Sequence, residues 1–245
     1  MKVKTTIDGL LNKSIWVEQP ADGYRIAVDT MLLAAAVPAK AGDKVVDFGC
    51  GVGGAMLALA FRVPGVSVSG IEIQPELAAL CAKNIERNSL KADLQVKQGD
   101  TTRLPAEMIG TFDHVMMNPP YHDVGRHDAS LHVSKRMANT EEEGDLTLWV
   151  ASAVKALKDG GALTLIHRAD RLDEILFILK TFFGVVMVKP IAPKHGISPK
   201  RVIIRAEKGG EFTEITCLPF VLHNADGSYG GEAEGILREV KKLKF

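Results

Sequence analysis

The chain has 245 residues, of which 46% are hydrophobic and 24% charged, a globular composition that excludes an intrinsically disordered protein. Thirty basic and thirty acidic side chains give a formal net charge of zero, so a nucleic-acid partner would have to be met by a local basic patch. The three cysteines are scattered and lack CxxC spacing, which favours reduced thiols over a disulfide framework or a zinc site.

The first forty residues precede the first strand of a predicted sheet. We expect residues 1–40 to form an N-terminal cap segment with an amphipathic helix near Thr30–Val37. Residues 41–245 are expected to form one globular domain, because no Pro/Gly/Ser-rich linker divides them.

Short apolar runs alternate with helix-like stretches along residues 41–245. Seven runs predict strands: Lys44–Phe48, Val66–Ile73, Asp93–Val96, His114–Met117, Ala162–His167, Val185–Val188 and Val202–Arg205. Apolar residues at three- and four-residue spacing predict helices over Ala55–Arg62, Pro75–Asn88, Asp145–Leu157 and Arg171–Phe182. This alternation predicts an α/β fold with a Rossmann-like, seven-stranded, mostly parallel sheet and helices on both faces.

The last two predicted strands break the alternation. The segment between them, Lys189–Arg201, carries three prolines and no helical pattern, so these strands are expected to pair antiparallel as a terminal hairpin at the sheet edge. A strand-like run over Glu214–Leu222 and a helix over Glu232–Leu243 are predicted to follow.

The first predicted strand ends in the glycine-rich sequence DFGCGVGG, which begins at Asp47. Glycines at such a turn let the backbone approach a ligand closely and direct its amides toward it. Asp47 followed by Gly49, Gly51 and Gly53 satisfies the S-adenosylmethionine pattern, whereas Gly49-x-Gly51-x-x-Gly54 satisfies the dinucleotide fingerprint. The second pattern would predict a nicotinamide-dependent oxidoreductase, and a tight turn without a ligand is the structural alternative.

Acidic residues at successive strand ends favour the methyl donor, since ligands of open parallel sheets bind there. Asp47 would face a methionine ammonium group, and Glu72 can accept hydrogen bonds from two ribose hydroxyls. Asp100 can accept a hydrogen bond from an adenine amino group, a role without a counterpart in pyrophosphate binding. Their neighbours Ile73 and Thr101, and Asn118 at the end of the fourth predicted strand, are also expected to contact S-adenosylmethionine.

The fourth predicted strand ends in Asn118, Pro119, Pro120 and Tyr121. The Asn118 side-chain oxygen and the Pro119 carbonyl can accept both hydrogens of a planar amine, which directs the nitrogen lone pair at the methyl group, and the paired prolines preorganise both acceptors. Tyr121 offers a flat face for stacking a planar substrate. An ordinary turn is the alternative interpretation of Asn-Pro-Pro.

The segments DFGCGVG, Glu72, Gly99-Asp100 and NPPY together resemble the class I S-adenosylmethionine-dependent N-methyltransferases over residues 44 to about 205. Within that class, Tyr24–Ala35 and VLHNADGSYGGEAEGILREV are most similar to bacterial tRNA(Val) adenine-N6-methyltransferases of the small-methyltransferase branch. The resemblance implies methylation of an adenine beside the anticodon, with Asp29 and Thr30 over the methionine end of the cofactor. A helix N-cap is the alternative role for Asp29 and Thr30.

The NPPY motif specifies the type of nitrogen and leaves the substrate open. Related motifs serve enzymes that methylate protein glutamine at N5 or rRNA guanine at N2, and both remain alternatives to tRNA. Lys194, Lys200 and Arg201 lie in a stretch without acids and are expected to form a basic rim for phosphates, unless they are only a solvated edge.

The remaining expectations concern the polar stretch His122–Gly144 and the location of the protein. The stretch is predicted to be a mobile substrate loop, because its histidines lack the spacing of a metal site. We therefore expect no metal. The polar N-terminus and the lack of an apolar run of ~20 residues predict a cytoplasmic protein that does not cross a membrane.

Overall fold

The computed structural model describes residues 4–22, 25–120, 145–239 and 241–245. Its strands are β1 (Thr5–Leu10), β2 (Ile15–Pro20), β3 (Lys44–Phe48), β4 (Ser67–Glu72), β5 (Asp93–Gln98), β6 (Phe112–Met117), β7 (Leu157–Arg168), β8 (Phe183–Ala192), β9 (Arg201–Thr216) and β10 (Phe220–Val221). Its helices are α1 (Val28–Ala36), α2 (Gly54–Arg62), α3 (Pro75–Arg87), α4 (Asp145–Ala156), α5 (Leu172–Leu179) and α6 (Gly231–Arg238). Each predicted strand and helix overlaps one of these elements.

The main sheet has the strand order β10-β8-β9-β7-β6-β3-β4-β5. Strands β5, β4, β3, β6 and β7 pair in parallel, and β9 is antiparallel to both β7 and β8. The predicted Rossmann-like sheet with an antiparallel hairpin is therefore confirmed. The strand count is eight and not seven, because Phe220 and Val221 add a short strand parallel to the end of β8.

The far end of β9 turns back around β8. Gly209 and Gly210 adopt left-handed φ angles of 94° and 85°, which residues with a side chain rarely do. Met187 of β8 consequently has a partner on each side, Arg205 before the turn and Ile215 after it. The predicted strand-like run Glu214–Leu222 thus lies along the outer edge of β8.

Helices cover both faces of the sheet, as predicted. Successive side chains of a strand point to opposite faces. In β3, Val45 packs in the core shared with α1, α2, α3 and α6, whereas Val46 and Phe48 pack in the core shared with α4 and α5. Among the helices that the structure describes, none is long and apolar enough to cross a bilayer.

The antiparallel pair β1–β2 in the N-terminal segment was not predicted. Its turn is built from Leu11, Asn12 and Lys13, all with positive φ. The turn contains no glycine or proline, the residues that most often mark a turn in a sequence. Ile15 and Val17 of β2 are fully buried in the core that also holds α1 and α2. The division of the chain at residue 40 stays a prediction.

The C-terminal helix is shorter than expected. It was predicted over Glu232–Leu243, but α6 ends at Arg238. The following tail places Leu243 in the core, where its backbone N–H donates to the Ala35 carbonyl at 2.9 Å. This contact with the end of α1 requires the chain to leave the helix.

Candidate cofactor and active site

A cavity of about 360 Å³ opens at the carboxyl ends of the parallel strands β3, β4, β5 and β6. Its walls include ten of the residues predicted from the sequence: Thr30, Asp47, Gly49, Gly51, Glu72, Ile73, Asp100, Thr101, Asn118 and Pro120. The fold therefore brings together groups that are spread over ninety residues of sequence. Two predicted cofactor residues, Asp29 and Gly53, are not among the residues that line it.

Asp47 is a buried carboxylate on the floor of the cavity. It lies one residue before the end of β3, and its Oδ2 atom has no hydrogen-bond partner among the residues that the structure describes. Burial and the nearby charge of Glu72 raise the pKa of Asp47 well above its usual value, against a hydrogen bond from the Met56 backbone N–H. A cationic ligand group beside Asp47 would provide a positively charged partner and would stabilise the ionised carboxylate.

Glu72, the last residue of β4, braces the glycine loop. Its Oε2 accepts a hydrogen bond from the Gly51 N–H at 2.8 Å, and its Oε1 accepts one from the Gln74 N–H at 2.8 Å. Burial raises the pKa of Glu72, and these backbone N–H groups partly offset the shift. Each carboxylate oxygen can accept a second hydrogen bond, so Glu72 can hold the loop and still receive ribose hydroxyls.

The glycines of the loop are required for different structural reasons. A Cβ on Gly49 would lie 2.8 Å from the Trp149 ring, and one on Gly53 would lie 2.7 Å from the Cys81 thiol, so both positions are filled by neighbours. A Cβ on Gly51 would meet nothing within 4 Å. Gly51 lines the cavity, so its missing side chain leaves the space that a ligand needs.

Asp100 follows β5 and is oriented by its own turn. Its Oδ1 accepts hydrogen bonds from the Thr102 N–H at 2.8 Å and from the Thr102 hydroxyl at 2.7 Å. Its other oxygen lies 3.7 Å from Arg103 Nε. Thr101 is buried beside it, and Ile73 presents an exposed apolar side chain to the same cavity.

The end of β6 brings Asn118 and Pro120 to the cavity. Pro119 is buried between them. Tyr121 and the loop His122–Gly144 lie outside the residues that the structure describes. Their predicted roles in stacking and in substrate binding therefore stay predictions.

Asp29 and Thr30 are in the first turn of α1. The N-cap of this helix is Ala27, without a side-chain cap, so the N-cap interpretation of Asp29 and Thr30 was wrong. Thr30 is buried and lines the cavity, whereas Asp29 Oδ2 accepts a hydrogen bond from Arg201 Nε at 2.8 Å. The predicted place of Asp29 over the methionine end of the cofactor stays a prediction.

The basic side chains of the predicted rim lie at the same edge of the sheet as the cavity, because β8 runs parallel to β6 and β9 begins there. Two strand spacings of about 4.8 Å separate β6 from β9 and three separate it from β8, so these strands lie ~10 Å and ~14 Å from β6. Lys194 Nζ donates to the Ala225 carbonyl at 3.0 Å, and Arg201 pairs with Asp29. The Lys200 side chain is exposed.

Several residues that line the cavity were not predicted from the sequence: Pro20, Ile26, Leu33, Gln74, Leu77 and Trp149. Pro20 ends a hairpin whose turn contains neither glycine nor proline. Trp149 is a single aromatic residue in the apolar pattern of α4, which is typical of a core position. Neither type of residue could have been identified without the fold.

A profile of the methyltransferase small domain family matches residues 24–197. The chain belongs to this family. A tRNA1(Val) (adenine(37)-N6)-methyltransferase of Porphyromonas gingivalis is 30% identical over 239 residues, which cover 90% of this chain and 89% of that relative. An rRNA N(6)-adenosine-methyltransferase of Caenorhabditis elegans is 25% identical over 180 residues, or 73% of this chain and 77% of that one.

Solved structures share the fold. A predicted O-methyltransferase from Agrobacterium tumefaciens has a TM-score of 0.73 at 23% identity and covers 88% of this chain and 98% of its own. TYW2 from P. horikoshii, in complex with MeSAdo, has a TM-score of 0.58 at 14% identity and covers 85% of this chain and 73% of its own. The family match confirms the predicted methyltransferase class and its methyl donor, S-adenosylmethionine, and the nicotinamide interpretation of the glycine loop is set aside.

Proposed function

We propose that this methyltransferase transfers a methyl group from S-adenosylmethionine to N6 of an adenine in tRNA. The observation that carries the proposal is the position of Asn118 and Pro120, which share one cavity with Asp47, Glu72 and Asp100. The relative named tRNA1(Val) (adenine(37)-N6)-methyltransferase supports the choice of nitrogen and of RNA.

The cavity residues fit the three parts of S-adenosylmethionine. Glu72 would accept hydrogen bonds from the ribose hydroxyls, and Asp100 would accept one from the adenine amino group. Asp47, whose Oδ2 has no partner in the described residues, would face the ammonium group. When bound, the cofactor supplies an electrophilic methyl group on a sulfonium sulfur.

Asn118 and Pro119 would activate the substrate. The lone pair of adenine N6 is delocalised into the ring, which makes this nitrogen a poor nucleophile. The Asn118 side-chain oxygen and the Pro119 carbonyl would each accept a hydrogen bond from one N6–H and so direct the lone pair at the methyl group. The residues contribute position and preorganised polarity to an in-line displacement, without a covalent bond to the enzyme.

The RNA would present its adenine from a loop. A base must leave its stack to reach Asn118, and a single-stranded anticodon loop makes this step less costly. We propose that Tyr121 stacks on the extruded base and that Lys194, Lys200 and Arg201 lie along the backbone phosphates. Such an enzyme would work in the cytoplasm, where tRNA is used.

The test incubates the protein and labelled methyl donor with total tRNA, with ribosomal RNA and with a release factor in separate reactions, followed by mass spectrometry of the nucleosides and of the release-factor peptides. We expect labelled N6-methyladenosine in the tRNA with the native protein and ~10²–10³-fold less with Asn118→Ala in the same time. Label in N2-methylguanosine from ribosomal RNA, or in a glutamine of a release factor without N6-methyladenosine, would replace the adenine assignment with one of the two alternatives.

A further inference from the structure

Strand β2 has β1 along one edge and helix α3 along the other. Asn88 accepts a hydrogen bond from the Trp16 N–H at 2.9 Å and donates to the Trp16 carbonyl at 2.8 Å. Asn84 does the same with Glu18, accepting from its N–H at 2.7 Å and donating to its carbonyl at 2.9 Å. Each side-chain amide therefore pairs with β2 as the peptide group of a neighbouring strand would.

The spacing of the two elements explains why this pairing is possible. Residues four apart on a helix are ~6 Å apart along its axis, and residues two apart on a strand are separated by about 6.6 Å. Asn84 and Asn88 thus match Trp16 and Glu18. The orientation of both amides is fixed, because a flip would turn each NH2 group toward a backbone N–H.

Asn84 makes one contact that Asn88 does not. Its Nδ2 also donates to the Val52 carbonyl at 2.9 Å, and Val52 belongs to the glycine loop that lines the cavity. The side chain of Asn84 is fully buried. The additional hydrogen bond of Asn88 goes to the Asn84 carbonyl at 2.7 Å, within α3 itself.

The NH2 group of Asn84 therefore forms hydrogen bonds to two segments that form two walls of the cofactor cavity. On one side, Val52 follows Gly51, which contacts Glu72 and lines the cavity. On the other side, Glu18 is two residues before Pro20, which also lines it. Any movement of the hairpin away from α3 would break the hydrogen bonds of Asn84.

We propose that Asn84 is a positioning residue for cofactor binding, which holds the glycine loop and the N-terminal hairpin at a fixed separation. The proposal rests on the assignment of this cavity to S-adenosylmethionine and not on the identity of the methyl acceptor. Asn88 fastens the hairpin without touching the loop and is the matched control within the same helix.

The first test compares Asn84→Asp with Asn88→Asp. Each change keeps the size and one acceptor oxygen but removes the NH2 group. Both variants should lower the melting temperature of the ligand-free protein. By calorimetry, only Asn84→Asp should weaken the binding of S-adenosylhomocysteine, by about tenfold, because the ligand must then restore the loop position that the hydrogen bond to Val52 held. In turnover, it should raise KM for S-adenosylmethionine more than it lowers kcat. Equal affinity in the two variants would overturn the proposal.

A second measurement needs no variant and remains informative if Asn84→Asp does not fold. Hydrogen exchange of the native protein should slow at the Glu18 amide and at the amides of the glycine loop together when S-adenosylhomocysteine is added, because Asn84 links them. Protection of the loop without protection of Glu18 would contradict the link. Neither experiment includes RNA, so a wrong substrate assignment would leave both results unchanged.

Discussion

The two halves of the sheet edge that carries the cavity differ in how their charged groups are used. At the ends of β3 and β4, Asp47 and Glu72 are buried, and the only hydrogen-bond donors that the described structure gives them are backbone N–H groups. At the end of β8 and the start of β9, two of the three rim cations have protein partners, since Lys194 binds the Ala225 carbonyl and Arg201 binds Asp29, and Lys200 is exposed. In the described structure, the first half thus holds a buried carboxyl oxygen without a hydrogen-bond partner, whereas Lys194 and Arg201 in the second half are paired.

The difference indicates two kinds of binding. Burial disfavours the charged form of Asp47, so a ligand group that brings a positive charge stabilises the carboxylate only when it lies directly against it. Half-exposed ion pairs contribute only about 0–1 kcal/mol, so Arg201 can exchange Asp29 for a phosphate at little cost. We therefore expect sharp effects of single substitutions in the first half and graded ones in the second.

The largest effect is expected for Asn118→Ala, which should lower methyl transfer without an equal loss of cofactor binding. Asn118→Ala removes an acceptor that we place on the substrate amine, and the loss of one such preorganised group lowers turnover by ~10²–10³. S-adenosylhomocysteine affinity, measured by calorimetry on the same sample, should change far less. Near-normal methyl transfer by this variant would mean that the Asn-Pro-Pro segment is only a turn.

The next effect concerns the cofactor half itself. Glu72→Ala removes a charged acceptor for which a hydrogen bond is worth ~1.5–3 kcal/mol, so S-adenosylhomocysteine should bind about 10- to 150-fold more weakly. Glu76→Ala, at an exposed position in the first turn of α3, is the control and should leave the affinity unchanged. If both variants bind as the native protein does, the ribose is held elsewhere.

A pH effect should follow from Asp47. Its raised pKa means that the ligand-free folded state holds a proton that the unfolded state has lost, so stability falls as pH rises from 3.8 toward the pKa of the folded state. A ligand ammonium favours the carboxylate, so binding releases this proton and affinity rises over the same interval, by at most about tenfold per pH unit. Calorimetry across pH should show this rise, and Asp47→Asn should remove the contribution. An unchanged profile in the variant would exclude Asp47 as the group responsible.

The smallest effect is expected in the second half. Lys200→Ala should weaken tRNA binding a few-fold and reduce the slope of log affinity against log salt by about one, the value of a lost phosphate contact. Lys158→Ala changes a lysine at the opposite end of the sheet, where it pairs with Asp113, and should leave the slope unaltered. Filter binding across salt concentrations measures both. Identical slopes would place the RNA away from Lys200.

The comparison also shows what the sequence can and cannot predict. The shared location of Asp47, Glu72 and Asp100 can be predicted from the strand positions, because the carboxyl ends of parallel strands lie at one edge of the sheet. The pair formed by Arg201 and Asp29 joins residues 172 apart in sequence, and no local pattern reports it. A basic stretch without acids in the sequence is therefore only partly a basic surface in the fold.

Local patterns also fail where tertiary contacts choose the conformation. The turn at Leu11, Asn12 and Lys13 lacks glycine, so β1 and β2 escaped prediction although Ile15 and Val17 are core residues. The end of α6 is set by the contact of Leu243 with Ala35 and not by a helix-stopping residue. In both cases the decisive interaction is remote in sequence.

The position of β9 between β7 and β8 sets the order in which the sheet can close while the chain is being synthesised. Both sheet neighbours of β8, namely β9 and β10, come after it in the sequence. A nascent chain that ends before Arg201 therefore carries an unpaired β8 and an open edge on β7, and exposed strand edges of this kind pair readily with other chains. Ribosomes that pause in this interval should yield aggregation-prone intermediates, and completion of β9 should remove both edges in one step.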